Sequence, residues 1–172
     1  MNPLNIIGTA LALTLMSLTP PTSAEPVPVG TFYLKAQHSG KCVHQHGGTF
    51  EEGGKVTQWE CIDQPNVRIE KLPVGGPYFM LRFQHSGKCL TVKGEGRSNG
   101  TPIIQQTCHY DGPIGQTWEQ VAGEGKYIKL QSQTGLCLHQ HGQTTSNGDP
   151  ITGWECVDQP NVRWELIPQG AL

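Results

Sequence analysis

The chain has 172 residues, 12 Lys and Arg against 14 Asp and Glu, and a formal net charge of −2. So even a balance leaves no basic footprint for nucleic acid or an anionic membrane surface. Hydrophobic residues make up only 35%, while Gly (22) and Pro (13) are plentiful, a composition that suits short strands joined by many turns.

In chain order, the first element is an uncharged apolar run, Ile6–Leu18. It is too short for a bilayer span, which takes about 20 residues. Pro20, Pro21 and a small-residue Thr22-Ser23-Ala24 stop follow it, the pattern of a secretory signal cleaved after Ala24. Residues 1–24 are therefore expected to be removed, leaving one domain over 25–172 in an extracellular setting, or a periplasmic one in a bacterium. No second apolar run approaches spanning length, so no membrane insertion is expected. Six Cys in an exported chain read as a disulfide set.

The remainder repeats itself with a period close to 47 residues. His38-Ser39-Gly40-Lys41-Cys42 recurs as His85-Ser86-Gly87-Lys88-Cys89 and then as Gln133-Thr134-Gly135-Leu136-Cys137. The units span 30–75, 76–122 and 125–170, and the first and third align without a gap. Each unit holds two Cys separated by 19 positions, so the economical pairing is Cys42–Cys61, Cys89–Cys108 and Cys137–Cys156. A loop of that size contributes about 3 kcal/mol per bridge in the chain-entropy model. Alternating runs such as "TFYLKA", "YFMLRF" and "KYIKLQ" predict strands, and "HSGK" and "QTGL" predict hairpin turns. About four short strands fit each unit, and three-fold repetition of an all-β unit closes a barrel without a long open edge.

These residues carry a resemblance. The three-fold repeat, the common Cys spacing and the Gln116-Thr117-Trp118 ending resemble the ricin B-chain, or R-type, lectin family. The resemblance covers residues 30–170 and implies a β-trefoil fold. Two units depart from the ending, reading Val67-Arg68-Ile69 and Val162-Arg163-Trp164.

The four Trp separate into two groups. Trp118 and Trp164, with Ile69 in the matching place, end their units and are expected in the core. Trp59 and Trp154 stand two residues before the second Cys, within "WECIDQPNVR" and "WECVDQPNVR", and Gln106 replaces them in the middle unit. A core position would hardly alternate between Trp and Gln, because a buried amide needs partners. A surface platform for the apolar face of a pyranose can. The resemblance implies a sugar site between an acid two residues after the first Cys, an aromatic before the second and an Asn after it. Position by position these are His44, Trp59 and Asn66 in the first unit, and His139, Trp154 and Asn161 in the third. The acid has thus become His. Thr91, Gln106 and Gly115 occupy the same places in the middle unit, which lacks platform and amide.

"HQHG" occurs twice, placing His44 with His46 and His139 with His141. Side chains two apart on a strand share a face. Each pair is open to three readings: sugar-hydroxyl contact, metal ligation or surface hydrogen bonding. Zinc takes three or four ligands and each unit offers two His with both Cys already bridged, so no metal or other cofactor is expected. Hydroxyl-reading imidazoles would lose affinity as they protonate around pH 6.5. Asp63 and Asp158 either pair with Arg68 and Arg163 across the Asp-Gln-Pro-Asn turn or face the pocket in place of the missing acid.

Glu60 and Asp63 flank a bridged Cys rather than a cleft built for hydrolysis, and no nucleophile-elbow, zincin or phosphate-cradling motif occurs. The expected function is a secreted, non-catalytic carbohydrate-binding lectin or module with sites in the first and third units. Galactose-type sugars or a xylan-like polysaccharide are the implied glycans, and the sequence does not choose between them or name a partner subunit. The alternative is a protein-binding trefoil, a hydrolase inhibitor or toxin attachment subunit, whose sugar sites have decayed.

Overall fold

A computed structural model describes residues 30–172. The signal segment expected over 1–24, and residues 25–29, lie outside the described residues. Twelve strands follow in chain order: β1 (Thr31–Ala36), β2 (Cys42–Gln45), β3 (Gly54–Trp59), β4 (Ile69–Gly75), β5 (Tyr78–Phe83) and β6 (Cys89–Val92), then β7 (Thr101–Gln106), β8 (Trp118–Ala122), β9 (Ile128–Ser132), β10 (Cys137–Gln140), β11 (Ile151–Trp154) and β12 (Trp164–Pro168). Among the described residues the only helical segments are single 3-10 turns.

Six strands close on themselves. β1 pairs with β12, β12 with β9, β9 with β8, β8 with β5, β5 with β4, and β4 again with β1, all antiparallel. The other six form the hairpins β2–β3, β6–β7 and β10–β11. These meet over one end of the barrel, where β7 pairs with both β3 and β11, and Thr57 bridges Pro150. This is a β-trefoil, and its closure leaves the barrel strands no free edge.

Alternation along the barrel strands sends one side chain in three-fold sets to the axis. Leu34, Leu81 and Leu130 form one buried layer, and Val43, Leu90 and Leu138 another nearer the cap. Trp118 and Trp164 are fully buried, and their indole N–H groups donate to the carbonyls of Leu90 (3.1 Å) and Leu138 (2.9 Å). The strand registers explain how Ile69 can hold the third place. Trp164 lies opposite Ala36 and Trp118 opposite Ser132, whereas Ile69 lies opposite Phe83. Large faces small in two units, and the ring moves to the partner strand in the other, conserving the layer's volume.

The same registers correct one feature of the sequence alignment. Ala36, Phe83 and Ser132 are equivalent, yet six positions separate the first two from Cys42 and Cys89 and five separate Ser132 from Cys137. The first and third units therefore align only with a gap: the third hairpin is one residue short, Gln133 matches Gln37 and Gln84, and His38 and His85 have no counterpart.

The three bridges pair as expected, Cys42–Cys61, Cys89–Cys108 and Cys137–Cys156. Each clips the start of a hairpin to the loop after it, next to the residue two before the second Cys. Trp164→Ala is expected to cost about 3–5 kcal/mol, as buried ring truncations do, and Trp154→Ala about 1 kcal/mol. Urea denaturation of the two variants checks the division of the Trp residues into core and surface.

Candidate functional site

Two of the surface clefts are built from equivalent residues, one in the first unit and one in the third. The first is lined by His44, His46, Gly47, Trp59, Ile62, Gln64 and Asn66, with a volume of 380 Å³. The other is lined by His139, His141, Gly142, Gln143, Trp154, Gln159 and Asn161, with a volume of 310 Å³. Both lie in the roughly 300–1,000 Å³ range of small-molecule sites.

Each cleft has a floor and two walls. The floor is a strand pair, β2–β3 or β10–β11, whose register sets His44 opposite Thr57 and His139 opposite Thr152. One wall is the 3-10 turn His46–Gly48 or His141–Gln143, and the other is the Asp-Gln-Pro-Asn turn before β4 or β12. His46 and His141 thus begin a turn rather than continuing the strand. Their rings stand edge-on to His44 and His139, at 6.2 and 6.1 Å between centroids.

His44 and His139 are buried, at 7% and 4% exposure, and each is held on three sides. The imidazole of His44 stacks on Trp59 at 5.2 Å and 28°, and that of His139 on Trp154 at 4.8 Å and 27°. Nδ1 of His44 lies 3.1 Å from the Thr57 hydroxyl and Nε2 2.9 Å from Asn66 Nδ2; in the third unit the corresponding distances are both 2.9 Å. Asn66 Nδ2 also donates to the Gln45 carbonyl at 3.3 Å, and a carbonyl can only accept, which fixes the amide's orientation. Nε2 of His44 must therefore be the bare, accepting nitrogen, with the proton on Nδ1 facing Thr57.

That arrangement forbids the imidazolium, which has no acceptor left for the amide. Burial, with a smaller repulsion from His46 or His141, lowers the pKa of both rings to about 4. The structure accordingly replaces the expectation of a transition near pH 6.5. Both nitrogens are also occupied by the protein, so the rings brace the Trp and the Asn and are not free hydroxyl readers.

Asp63 and Asp158 are not among the lining residues of either cleft. Asp63 accepts from Arg68 Nε at 2.6 Å and from the Tyr33 hydroxyl; Asp158 accepts from Arg163 Nε at 3.0 Å. These hydrogen bonds, the Arg bond foremost, lower both carboxyl pKa values. Of the two alternatives for these residues, the structure has the Arg pairing. Each guanidinium bonds the carboxylate five positions back, and Arg163 also donates to Glu124 at 2.5 Å. Among the described residues no three His, Cys, Asp or Glu side chains converge as metal ligands.

The sequence also passed over Gln64 and Gln159, Ile62, and the turn residues Gly47, Gly142 and Gln143. Gln64 and Gln159 were legible as part of the doubled phrase; Gln143 was not, because its partner in the first unit is Gly48. The corresponding place in the middle unit is built differently. Gly115 stands where Asn66 stands, and a Cβ there would lie 2.8 Å from the Val92 carbonyl. The Glu95 carboxylate accepts from the Ile114 N–H at 3.1 Å, so the two walls are tied directly together.

Comparison with known proteins decides the family. The family model described as "Ricin-type beta-trefoil lectin domain" matches residues 77–172, and "Ricin-type beta-trefoil lectin domain-like" matches residues 22–111. The chain belongs to the ricin-type β-trefoil lectin family. Among solved structures, ThreeFoil, a designed three-fold symmetric protein, is 28% identical with a TM-score of 0.77, over 80% of this chain and 98% of its own. An exo-β-1,3-galactanase from Clostridium thermocellum is 25% identical with a TM-score of 0.77, over 81% of this chain but only 30% of the enzyme. The C-half of an earthworm R-type lectin in complex with GalNAc is 19% identical with a TM-score of 0.65, over 81% and 99% of the two chains; that level of identity speaks to the fold alone. Among curated proteins, none matches the sequence. As a ricin-type lectin domain, the chain is a carbohydrate-binding module.

The buried rings link the clefts of this lectin to its stability. Unfolded, each imidazole takes a proton near pH 6.5; folded, it does not until about pH 4. Between those values the unfolded state binds more protons, so stability falls as the pH drops from 6.5 toward 4 and levels off below. The loss is at most on the order of 3 kcal/mol per ring. Urea titrations at pH 7 and pH 4.5 are expected to show that loss, and His44→Gln with His139→Gln to remove most of the difference.

Proposed function

We propose that the chain is a secreted, non-catalytic lectin that holds one sugar residue in each of the two clefts of its first and third units. The observation that carries this reading is the twice-built set of a half-buried Trp, a buried His stacked on it and an Asn amide bonded to that His. The indole and Ile62 offer apolar surface for the C–H face of a pyranose. A rigid ring with two χ angles contributes contact area at little entropic cost. Gln64 and His46 offer donors and acceptors for hydroxyls in the first cleft, and Gln159, Gln143 and His141 in the other, while Asn66 and Asn161 give an amide hydrogen to the imidazole.

The lining side chains supply stacking and hydrogen bonding. Glycoside hydrolysis takes a pair of carboxyl groups on either side of the bond, and the acids of the wall turns, Asp63 and Asp158, are paired with Arg. That supports binding without turnover. The galactanase comparison covers a minor part of that enzyme, which fits a binding module that in other proteins accompanies a catalytic one. A galactose-type sugar or a xylan-like polysaccharide is the glycan class to test first.

Each shallow cleft is weak alone, and two on one rigid body give avidity on a multivalent surface if its spacing fits. On a glycan array Trp59→Ala and Trp154→Ala are each expected to reduce retention at least tenfold, and the double variant to abolish it. An array silent for the wild type, with a protein captured instead, sinks the reading in favour of a protein-binding trefoil.

A further inference from the structure

The "HSGK" hairpins lie outside both clefts, yet their His residues bond to the walls of a cleft in a neighbouring unit. His85, in the second unit, has Nε2 2.7 Å from the carbonyl of Gly48, at the end of the first cleft's 3-10 wall. Its backbone N–H donates to the carbonyl of Pro65, in that cleft's opposite wall, at 3.2 Å. His38, in the first unit, does the same for the third: Nε2 lies 2.6 Å from the Gln143 carbonyl, and its N–H donates to the Pro160 carbonyl at 3.3 Å. One residue therefore spans both walls of each cleft. Phe50, 62% exposed, packs on the His85 ring at 4.4 Å and holds it in place.

The middle unit supplies the contrast. Its walls would be spanned by the third unit, whose hairpin is one residue short and has no His at that point. Glu95, Gly48 and Gln143 are equivalent and share a left-handed backbone, with φ of 54°, 61° and 53°. Only the turn ending in Glu95 lacks the bridge, and there the walls are joined directly through Ile114.

We propose that His85 and His38 are positioning residues that set the wall spacing of the first and third clefts, so that each sugar site is completed by the hairpin of another unit. The inference rests on the lectin reading for its sugar readout, but the wall contact can be measured without a sugar. A lost wall hydrogen bond of ordinary strength corresponds to roughly a fivefold change in occupancy.

The test is crosswise. In the Trp154→Ala background, which leaves the first cleft, His85→Ala is expected to weaken binding of lactose or xylohexaose roughly fivefold, with His38→Ala without effect. In the Trp59→Ala background the two exchange roles. Independently of any sugar, amide exchange should quicken at residues 47–49 in His85→Ala alone and at 142–144 in His38→Ala alone. Exchange quickened at both turns by either variant, with a lowered melting temperature, marks a general structural role and overturns the proposal. No change at either turn overturns it as well. A crosswise exchange pattern in a protein whose wild type binds neither sugar upholds the wall contact and counts against the lectin reading for these probes.

Discussion

Everything in this molecule depends on the closure of six strands into a ring whose interior must be filled from three sequence units at once. A ring of three equivalent β-hairpins presents matching positions to one axis, so each layer has a fixed volume that three residues share. The Trp layer shows how strictly that sum is kept while its parts vary. Two indoles face Ala36 and Ser132, and where the third is missing its volume reappears as Phe83 across the strand pair. The barrel can therefore tolerate divergence within a unit, provided that its neighbour in the ladder compensates.

The same closure explains why the clefts belong to pairs of units. A hairpin that caps the barrel touches the loop of the unit beside it, and the stapled turn after each second Cys is left facing outward. Asn66, Trp59 and His44 come from one unit, but the carbonyls that bound their cleft are held by His85 of the next. Loss of a site can then begin in either unit. In the middle unit both contributions are altered: Gly115 removes the amide, and the shortened hairpin of the third unit brings no His. The Glu95 carboxylate accepts from the backbone N–H of Ile114, a donor that Pro65 and Pro160 lack at the equivalent place, and so ties the two walls together.

Much of this was legible in the residues. Period, Cys spacing and alternating runs specify a three-fold β architecture because each reflects a constraint imposed three times over. The separation of Trp59 and Trp154 from Trp118 and Trp164 was equally legible, since only a surface place exchanges Trp for Gln. The behaviour of the paired His was not. A His two places along a strand reads as solvent-facing, and nothing local shows that Thr57 and Asn66, 13 and 22 positions away, enclose the ring of His44. The Asp residues of the doubled phrase misled for the opposite reason. Their Arg partner is local, but whether a carboxylate turns toward it or toward a cleft depends on the turn's geometry. The one-residue deletion in the third hairpin was masked because an extra residue in the preceding loop restores the length, so a gapless alignment scores well while the strands disagree.

The exchange of an acid for His44 and His139 is best understood as a change in what supports the Asn. A carboxylate at that position would carry charge into the cleft floor and could itself accept from a hydroxyl. A neutral imidazole locked by Thr on one side and an amide on the other cannot do so without breaking its own bonds. What it adds is area: the ring lies against the indole and fixes its tilt, so that the Trp is presented in one orientation. The cost of desolvating imidazole is met by keeping it neutral, which ties the cleft's integrity to the absence of a proton. On the proposed lectin reading, a floor built this way suits the apolar face of a sugar better than charge-assisted reading of its hydroxyls. The walls are where the two clefts differ: Ile62 lines the first only, and Gln143 lines the third only. The two clefts of this lectin are thus alike in their floor and distinct at their rim.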